Sequence, residues 1–285
     1  MPELPEVETV VRTLAPRLVG WSIKSVSTSA SRVFRDQQGL IAATLPGRTV
    51  RAVRRYGKNI LIELDGNLLR VHLGMTGKLL FASSDAEAMV STHPHATLWL
   101  RRIIPEDSEQ SREESAVLVF DDSRQFGRFE LMPPNEADPL ALGPEPLEVP
   151  LDEFVGMLKA RGGAIKNVLL NQRFLRGLGN IYTDEALFLA RIHPLTAASR
   201  VKRAKAAVLH ESIRLLLEEA IARGGSSISD YVDADGRRGN FQDRHQVYGK
   251  EGKPCPRCAS AIRRIVVGQR GTHFCPRCQV APRQV

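Results

Sequence analysis

The chain has 285 residues, of which 42% are hydrophobic and 25% charged, and a formal charge of +8. That length suits two domains with cores of their own. No run of about 18 apolar residues offers a membrane span, and three glutamates in the first ten residues argue against a secretory leader, so a cytoplasmic protein is expected.

The chain opens Met1-Pro2-Glu3-Leu4-Pro5-Glu6. Loss of Met1, usual ahead of a small residue, would leave Pro2 as a free secondary amine flanked by carboxylates. Such an amine attacking a sugar aldehyde carbon gives a positively charged iminium, which labilises the neighbouring C–H bond. Val7, Val10, Val11, Leu14 and Leu18 recur at helical spacing and predict an amphipathic helix from Pro5 to about Leu18, with Pro5 at its first position. The helix dipole should lower the amine's pKa, and Glu3 and Glu6 should raise it. Read without further context, the two glutamates simply compensate that dipole.

Segments rich in β-formers follow at Trp21 to Thr28, Thr49 to Leu64, Leu68 to Ala82, Ala96 to Ile103 and Ala116 to Met132. Glycine turns punctuate them, at Tyr56-Gly57-Lys58 and Gly74-Met75-Thr76-Gly77. The polar stretch from Pro105 to Ser115 reads as an exposed loop. From Pro133 to Pro150 six of eighteen residues are proline, which suits a restrained linker. Helical patterns then run from Leu151 to Lys159, Ala164 to Phe174, Asn180 to Arg191 and about Ala198 to Ala222. The segment Ser226 to Gln246 carries little apolar periodicity and reads as a long, mobile loop. A cleft between a β domain and a helical domain would make a natural DNA groove.

The excess charge is local: from Lys253 onward there are seven basic residues and no acidic one. All four cysteines lie there as Cys255-x-x-Cys258 and Cys275-x-x-Cys278, with sixteen residues between the pairs. Two such knuckles meet tetrahedrally around one zinc, and four sulfurs leave no open position, so the ion is expected to be structural. Its task would be to hold a small β-hairpin that lacks an adequate core.

The opening decapeptide, together with several later motifs, resembles the bacterial formamidopyrimidine-DNA glycosylases, over nearly the whole chain. The resemblance implies an α+β architecture: a β-sandwich with a leading helix over 1–132, a linker over 133–150, a helical domain with a helix–two-turn–helix and a lesion-capping loop over 151–245, and a zinc-finger hairpin over 246–280. It makes Pro2 the Schiff-base nucleophile, Glu3 the acid assisting base departure or ring opening, Glu6 a supporting group, and Lys58 the proton donor in β-elimination. His72-Leu73-Gly74-Met75-Thr76-Gly77 resembles the loop whose methionine fills the hole left by a flipped nucleotide. Asp122-Ser123-Arg124-Gln125-Phe126-Gly127 resembles its partner, in which Arg124 meets the orphaned base and Phe126 wedges between bases; Gln125 stands where a second arginine is familiar. Lys166, Asn180, Arg161 and His93 match DNA-contact positions. Arg270, between the cysteine pairs, matches the arginine linked to δ-elimination, a role better described as phosphate stabilisation because its pKa is so high.

The implied function is a monomeric bifunctional DNA glycosylase and abasic-site lyase of base-excision repair. It would excise oxidised purines (8-oxoguanine, formamidopyrimidines) from double-stranded DNA and cut the strand by β,δ-elimination. One rival is an endonuclease VIII-type enzyme for oxidised pyrimidines, disfavoured by Leu4 and the Met75, Arg124 and Phe126 set. The other is a noncatalytic binder of damaged DNA, disfavoured by the presence of Pro2, Glu3 and Lys58.

Overall fold

The computed structural model describes residues 1–84, 91–105, 111–133, 140–228 and 230–282. They divide into two compact units, Met1–Pro139 with Gly224–Asn240, and Leu140–Arg223 with Phe241–Val285. Among the described residues no helix is long and apolar enough to cross a membrane.

In the first unit α1 (Leu4–Leu18) is followed by β1 (Ser22–Thr28), a short α2 (Gln38–Thr44), β2 (Val50–Tyr56), β3 (Asn59–Leu64), β4 (Asn67–His72), β5 (Lys78–Ala82), β6 (Pro94–Pro105), β7 (Ser111–Asp121) and β8 (Arg128–Met132). The strands form two antiparallel four-stranded sheets, ordered β1-β6-β7-β5 and β2-β3-β4-β8. Val7, Val10, Leu14 and Leu18 of α1 share one core with Ile60, Ile62 and Val71 of one sheet and Leu98, Leu118 and Phe120 of the other. Burying each such side chain contributes about 1.5–3 kcal/mol, so the helix is held by both layers of a sandwich. At its N-terminus Glu6 Oε2 accepts from the Glu3 N–H at 2.8 Å, closing the first turn.

Two sequence expectations change here. The loop read from Pro105 to Ser115 is shorter, because β7 begins at Ser111 and pairs with β6 as far as Pro105; residues 106–110 lie outside the described set. Helix α2, too short to show a helical period, was not expected. It brings Ile41 and Leu45 into the core.

The second unit holds α3 (Leu151–Lys159), α4 (Ile165–Leu170), α5 (Asn180–Leu189), α6 (Arg203–Ala222) and the hairpin β9 (Arg263–Val267) and β10 (Arg270–Phe274). Helix α4 ends four residues before the expected Phe174, because Asn171 turns extended. Gln172 then organises the turns, its Nε2 donating to the Leu178 carbonyl at 2.8 Å and its Oε1 accepting from Gly177 N–H at 2.8 Å. Of the linker read over 133–150, residues 134–139 lie outside the described set.

The segment after α6 departs further from the sequence reading, which grouped it with the helical domain as a mobile loop. Gly224–Asn240 packs into the first unit instead. Glu6 Oε1 accepts from Ser226 N–H at 2.7 Å, the Tyr231 hydroxyl donates to the Glu6 carbonyl at 3.1 Å, and Ala234 N–H donates to Thr13 Oγ1 at 3.2 Å. Tyr231 and Ala234 join the sandwich core, and Phe81 N–H donates to the Ala234 carbonyl at 3.1 Å. Gly225, at φ +77°, explains the close approach: a Cβ there would lie 2.9 Å from the Glu6 side chain. Apolar periodicity could not show this, because the anchors are single side chains and backbone groups.

Candidate functional site

Pro2, Glu3 and Glu6 are buried at the start of α1. Lys58 belongs to the two-residue turn Gly57-Lys58 between β2 and β3, where Gly57 takes φ +60° as a tight hairpin requires at its first central position. The lysine is buried despite sitting on a turn, with only 7% of its surface exposed. Arg55 ties the hairpin to the helix, its Nε donating to Glu8 Oε2 at 2.8 Å. Burial raises the Glu8 pKa, but the Arg12 and Arg55 guanidiniums outweigh that effect and hold the carboxyl below its ordinary value.

The amine of Met1, adjoining Pro2, lies within electrostatic reach of Glu3, Glu6, Lys58 and Arg124. Burial is the largest influence and pushes the amine below its ordinary pKa. The two glutamates oppose this, and Lys58 and Arg124 reinforce it. At this Met1 amine, one residue before Pro2, desolvation outweighs the two carboxylates. The chain thus gathers an amine, two carboxylates and an ammonium from two separate elements into one polar group on the sandwich.

Nearby, the loops carrying Met75 and Phe126 pack backbone against backbone. Gly74, at φ +59°, leaves no room for a side chain, since a Cβ would lie 2.5 Å from Gly127 N. Asp122, fully buried, clasps both loops: Oδ1 accepts from Thr76 Oγ1 at 2.5 Å and Oδ2 from Gly127 N–H at 2.7 Å. Met75 and Phe126 are left 39% and 53% exposed, and the Arg124 guanidinium lies 4.8 Å from the Phe126 ring centroid. Three side chains suited to filling, stacking and hydrogen bonding therefore project from a braced scaffold. His72, below them, accepts from Gly74 N–H at 3.0 Å; burial, with Arg70, Lys58 and Arg128 nearby, lowers its pKa to about 4 and keeps it neutral. His93 is exposed, and its backbone N–H donates to Asp121 at 2.7 Å.

Asp122 went unassigned in the sequence, although it opens the loop motif. Removing its carboxyl leaves several buried donors without partners, at about 1–3 kcal/mol each. Asp122→Ala is expected to lower stability by roughly 2–4 kcal/mol in urea unfolding. Thr76→Val, which removes one of those donors, should cost less; equal costs would show that Asp122 does not clasp the loops.

In the second unit Asn180 begins α5, and its Nδ2 donates to the Gly271 carbonyl at 2.9 Å. Asp184, one turn on, accepts from His273 N–H at 2.8 Å. The turn Gly268-Gln269 has positive φ at both residues, as a primed two-residue hairpin requires. A Cβ at Gly268 would lie 2.1 Å from Asn167 Oδ1, so the hairpin tip seats on α4 and presents the exposed Arg270. Arg161, just past α3, is exposed as well.

Lys166 does not fit the expected direct phosphate contact. It is fully buried, ion-paired with Asp184, and its Nζ lies 3.4 Å from the Asn180 carbonyl. An ammonium without access to the surface positions Asn180 and Asp184 instead. Burial of a long cation beside an acid eighteen residues away is a tertiary property that local sequence does not reveal.

The four cysteine sulfurs lie within 4.8 Å of one another. Tetrahedral zinc–thiolate geometry needs sulfurs about 3.8 Å apart, so the donor set fits one Zn2+ with no position left for substrate. Backbone N–H groups of Arg257 and Cys278 approach the Cys255 and Cys275 sulfurs at 3.4 Å, a feature that favours thiolates. Arg257 also donates to the Phe188 carbonyl at 2.9 Å, fastening the first knuckle to the C-terminus of α5. The buried Glu185 accepts from the backbone N–H groups of Gln246, Val247 and Tyr248, fixing the segment that leads into the hairpin.

Comparison with known proteins covers the chain from end to end. Residues 1–129 match the formamidopyrimidine-DNA glycosylase N-terminal domain, 142–232 that family's H2TH domain, and 252–280 the zinc finger found in FPG and IleRS. A formamidopyrimidine-DNA glycosylase of Solibacter usitatus is 47% identical over 98% of this chain and 99% of its own. Two Lactococcus lactis Fpg structures superpose closely, one bound to DNA containing an abasic site (TM-score 0.84, 36% identical) and one to DNA containing N7-benzyl-Fapy-dG (TM-score 0.86, 36% identical). Each covers 98% of this chain and all of the neighbour.

Proposed function

The chain belongs to the formamidopyrimidine-DNA glycosylase family, and from that we propose that it is a DNA-repair glycosylase that excises oxidised purines and then cleaves the strand by β,δ-elimination. The observation that carries this reading is the burial of Pro2, Glu3, Glu6 and Lys58 together around the Met1 amine that adjoins Pro2, beside the braced Met75 and Phe126 loops. Its substrate is duplex DNA bearing oxidised purines or abasic sites, a reading supported by the lesion-containing DNA bound in the two Lactococcus lactis structures.

Once Met1 is removed, the Pro2 nitrogen attacks C1′ of the everted nucleotide and the N-glycosidic bond breaks. Glu3 supplies the proton that drives this step, assisting base departure as the sugar ring opens. The resulting iminium acidifies C2′–H; loss of that proton breaks the C3′–O bond, with Lys58 moving protons at this stage, and a second elimination breaks C5′–O. Water then frees Pro2. Met75 and Phe126 occupy the gap in the stack, and Arg124 meets the orphaned base. Asn180, Arg161, His93 and Arg270 bind backbone phosphates, and Lys166 holds Asn180 in place. The four cysteines hold the structural zinc that secures the hairpin carrying Arg270.

Borohydride reduction during turnover on an 8-oxoguanine duplex tests the proposal, since only an imine intermediate becomes a covalent adduct. The expected result is one adduct per chain, with base release and strand scission; binding without adduct would leave a noncatalytic binder. Glu3→Gln should slow base release by roughly 10²-fold or more while sparing cleavage of a ready-made abasic site, in line with acid catalysis. Equal losses in both assays would remove its assigned role.

A further inference from the structure

Beside the Phe126 loop lies a concavity of about 650 Å³ bounded by Arg32, Arg124 and Arg128. We propose that it grips a backbone phosphate of the strand opposite the lesion, with Arg32 and Arg128 as its phosphate ligands. This rests on the damaged-duplex reading of the site.

Charge compensation separates these arginines from their neighbours. Arg35 and Arg70 share Glu130, Arg54 pairs with Glu63, and Arg55 pairs with Glu8. Among the described residues neither Arg32, Arg124 nor Arg128 forms an ion pair with a carboxylate. Arg128 spends one nitrogen on the Gly127 carbonyl at 2.6 Å, and Arg124 stacks on Phe126. Three uncompensated guanidiniums around one depression focus a positive potential there and match the planar, bidentate recognition of a phosphodiester.

Gln125 shapes the depression. It sits at φ 55°, and its Oε1 lies 3.4 Å from Ser31 Oγ and 3.5 Å from Arg32 N. The neutral side chain thus draws the Arg32 segment toward the wedge loop without adding a fourth cation to the rim. With Phe126 in the stack and Arg124 at the orphaned base, a phosphate within this concavity belongs to the orphaned nucleotide's own strand. Arg32, which lies in no motif of the sequence, therefore joins the opposite-strand grip through the fold alone.

The test uses the zinc-loaded full chain and a duplex with a reduced, uncleavable abasic site. That duplex carries either a natural backbone or one uncharged methylphosphonate beside the orphaned nucleotide. Arg32→Ala and Arg128→Ala should each weaken binding roughly five- to tenfold at 0.1 M salt and reduce the log–log salt slope by about one. Arg32→Lys should recover part of the loss. The methylphosphonate should penalise wild type by a similar factor and the double alanine variant by less than twofold. A full methylphosphonate penalty in the double variant, or variants that bind like wild type, would overturn the inference. Failure of the underlying reading looks different: wild type itself would neither prefer the lesion duplex nor form a borohydride adduct.

Discussion

A chain that keeps Met1 is expected to give no borohydride adduct with an abasic duplex, while still binding the uncleavable analogue with nearly the affinity of the processed chain. The physical reason is electronic. With Met1 in place the Pro2 nitrogen is an amide, its lone pair is delocalised into the carbonyl, and it cannot add to C1′. The free amine then belongs to Met1, one residue further out, while Pro2 stays buried. The fold tolerates this extra residue, because α1 and its Glu6 contacts form with Met1 present. Loss of adduct would therefore report chemistry rather than unfolding. Mass measurement establishes which form is assayed. Lys58→Ala with a processed terminus supplies the contrast: the adduct should persist while strand scission slows. A full adduct from the Met1-retaining chain would transfer the nucleophile's role to Lys58 or another amine.

How much of this was legible in the sequence depends on the range of the interactions involved. Helix α1 declared itself through Val7, Val10, Leu14 and Leu18, and the metal site through cysteine spacing, since both depend on local periodicity. The expected strands formed because alternation and glycine turns also act locally. What stayed hidden was long-range. Nothing around Lys166 announces that Asp184 will neutralise it in the interior, and nothing around Ser226 or Tyr231 announces that Glu6 will hold them. Asp122 was visible as part of a motif, yet its work as a clasp depends on Thr76, a residue of a separate strand connection. Cysteine spacing put Arg270 between the two knuckles, while Gly268 and Asn167, which seat the hairpin's turn, carry no signal until the backbone is folded.

Zinc removal should produce the second large effect, a cooperative loss of the hairpin and with it much of the DNA affinity. Among the described residues the apolar cluster at the knuckles is small, with Phe188, Val247 and Ile262 around Cys255 and Cys275. Structural zinc contributes about 10–16 kcal/mol to folding of such units, far more than that cluster supplies. Once the hairpin melts, Asn180 loses its Gly271 partner and Asp184 loses His273, leaving buried polar groups beside Lys166 unsatisfied. The damage therefore reaches the start of α5 as well as Arg270. The sandwich, whose core is made of other residues, should remain folded. In chelator-treated or Cys258→Ser protein with verified metal loss, limited proteolysis should cut within residues 252–282 first. The salt slope of binding should fall by about one for each phosphate that the melted hairpin ceases to neutralise. Metal-free protein with the same affinity, slope and cleavage pattern as the zinc form would mean that packing alone holds the hairpin, and the structural role of the ion would have to be abandoned.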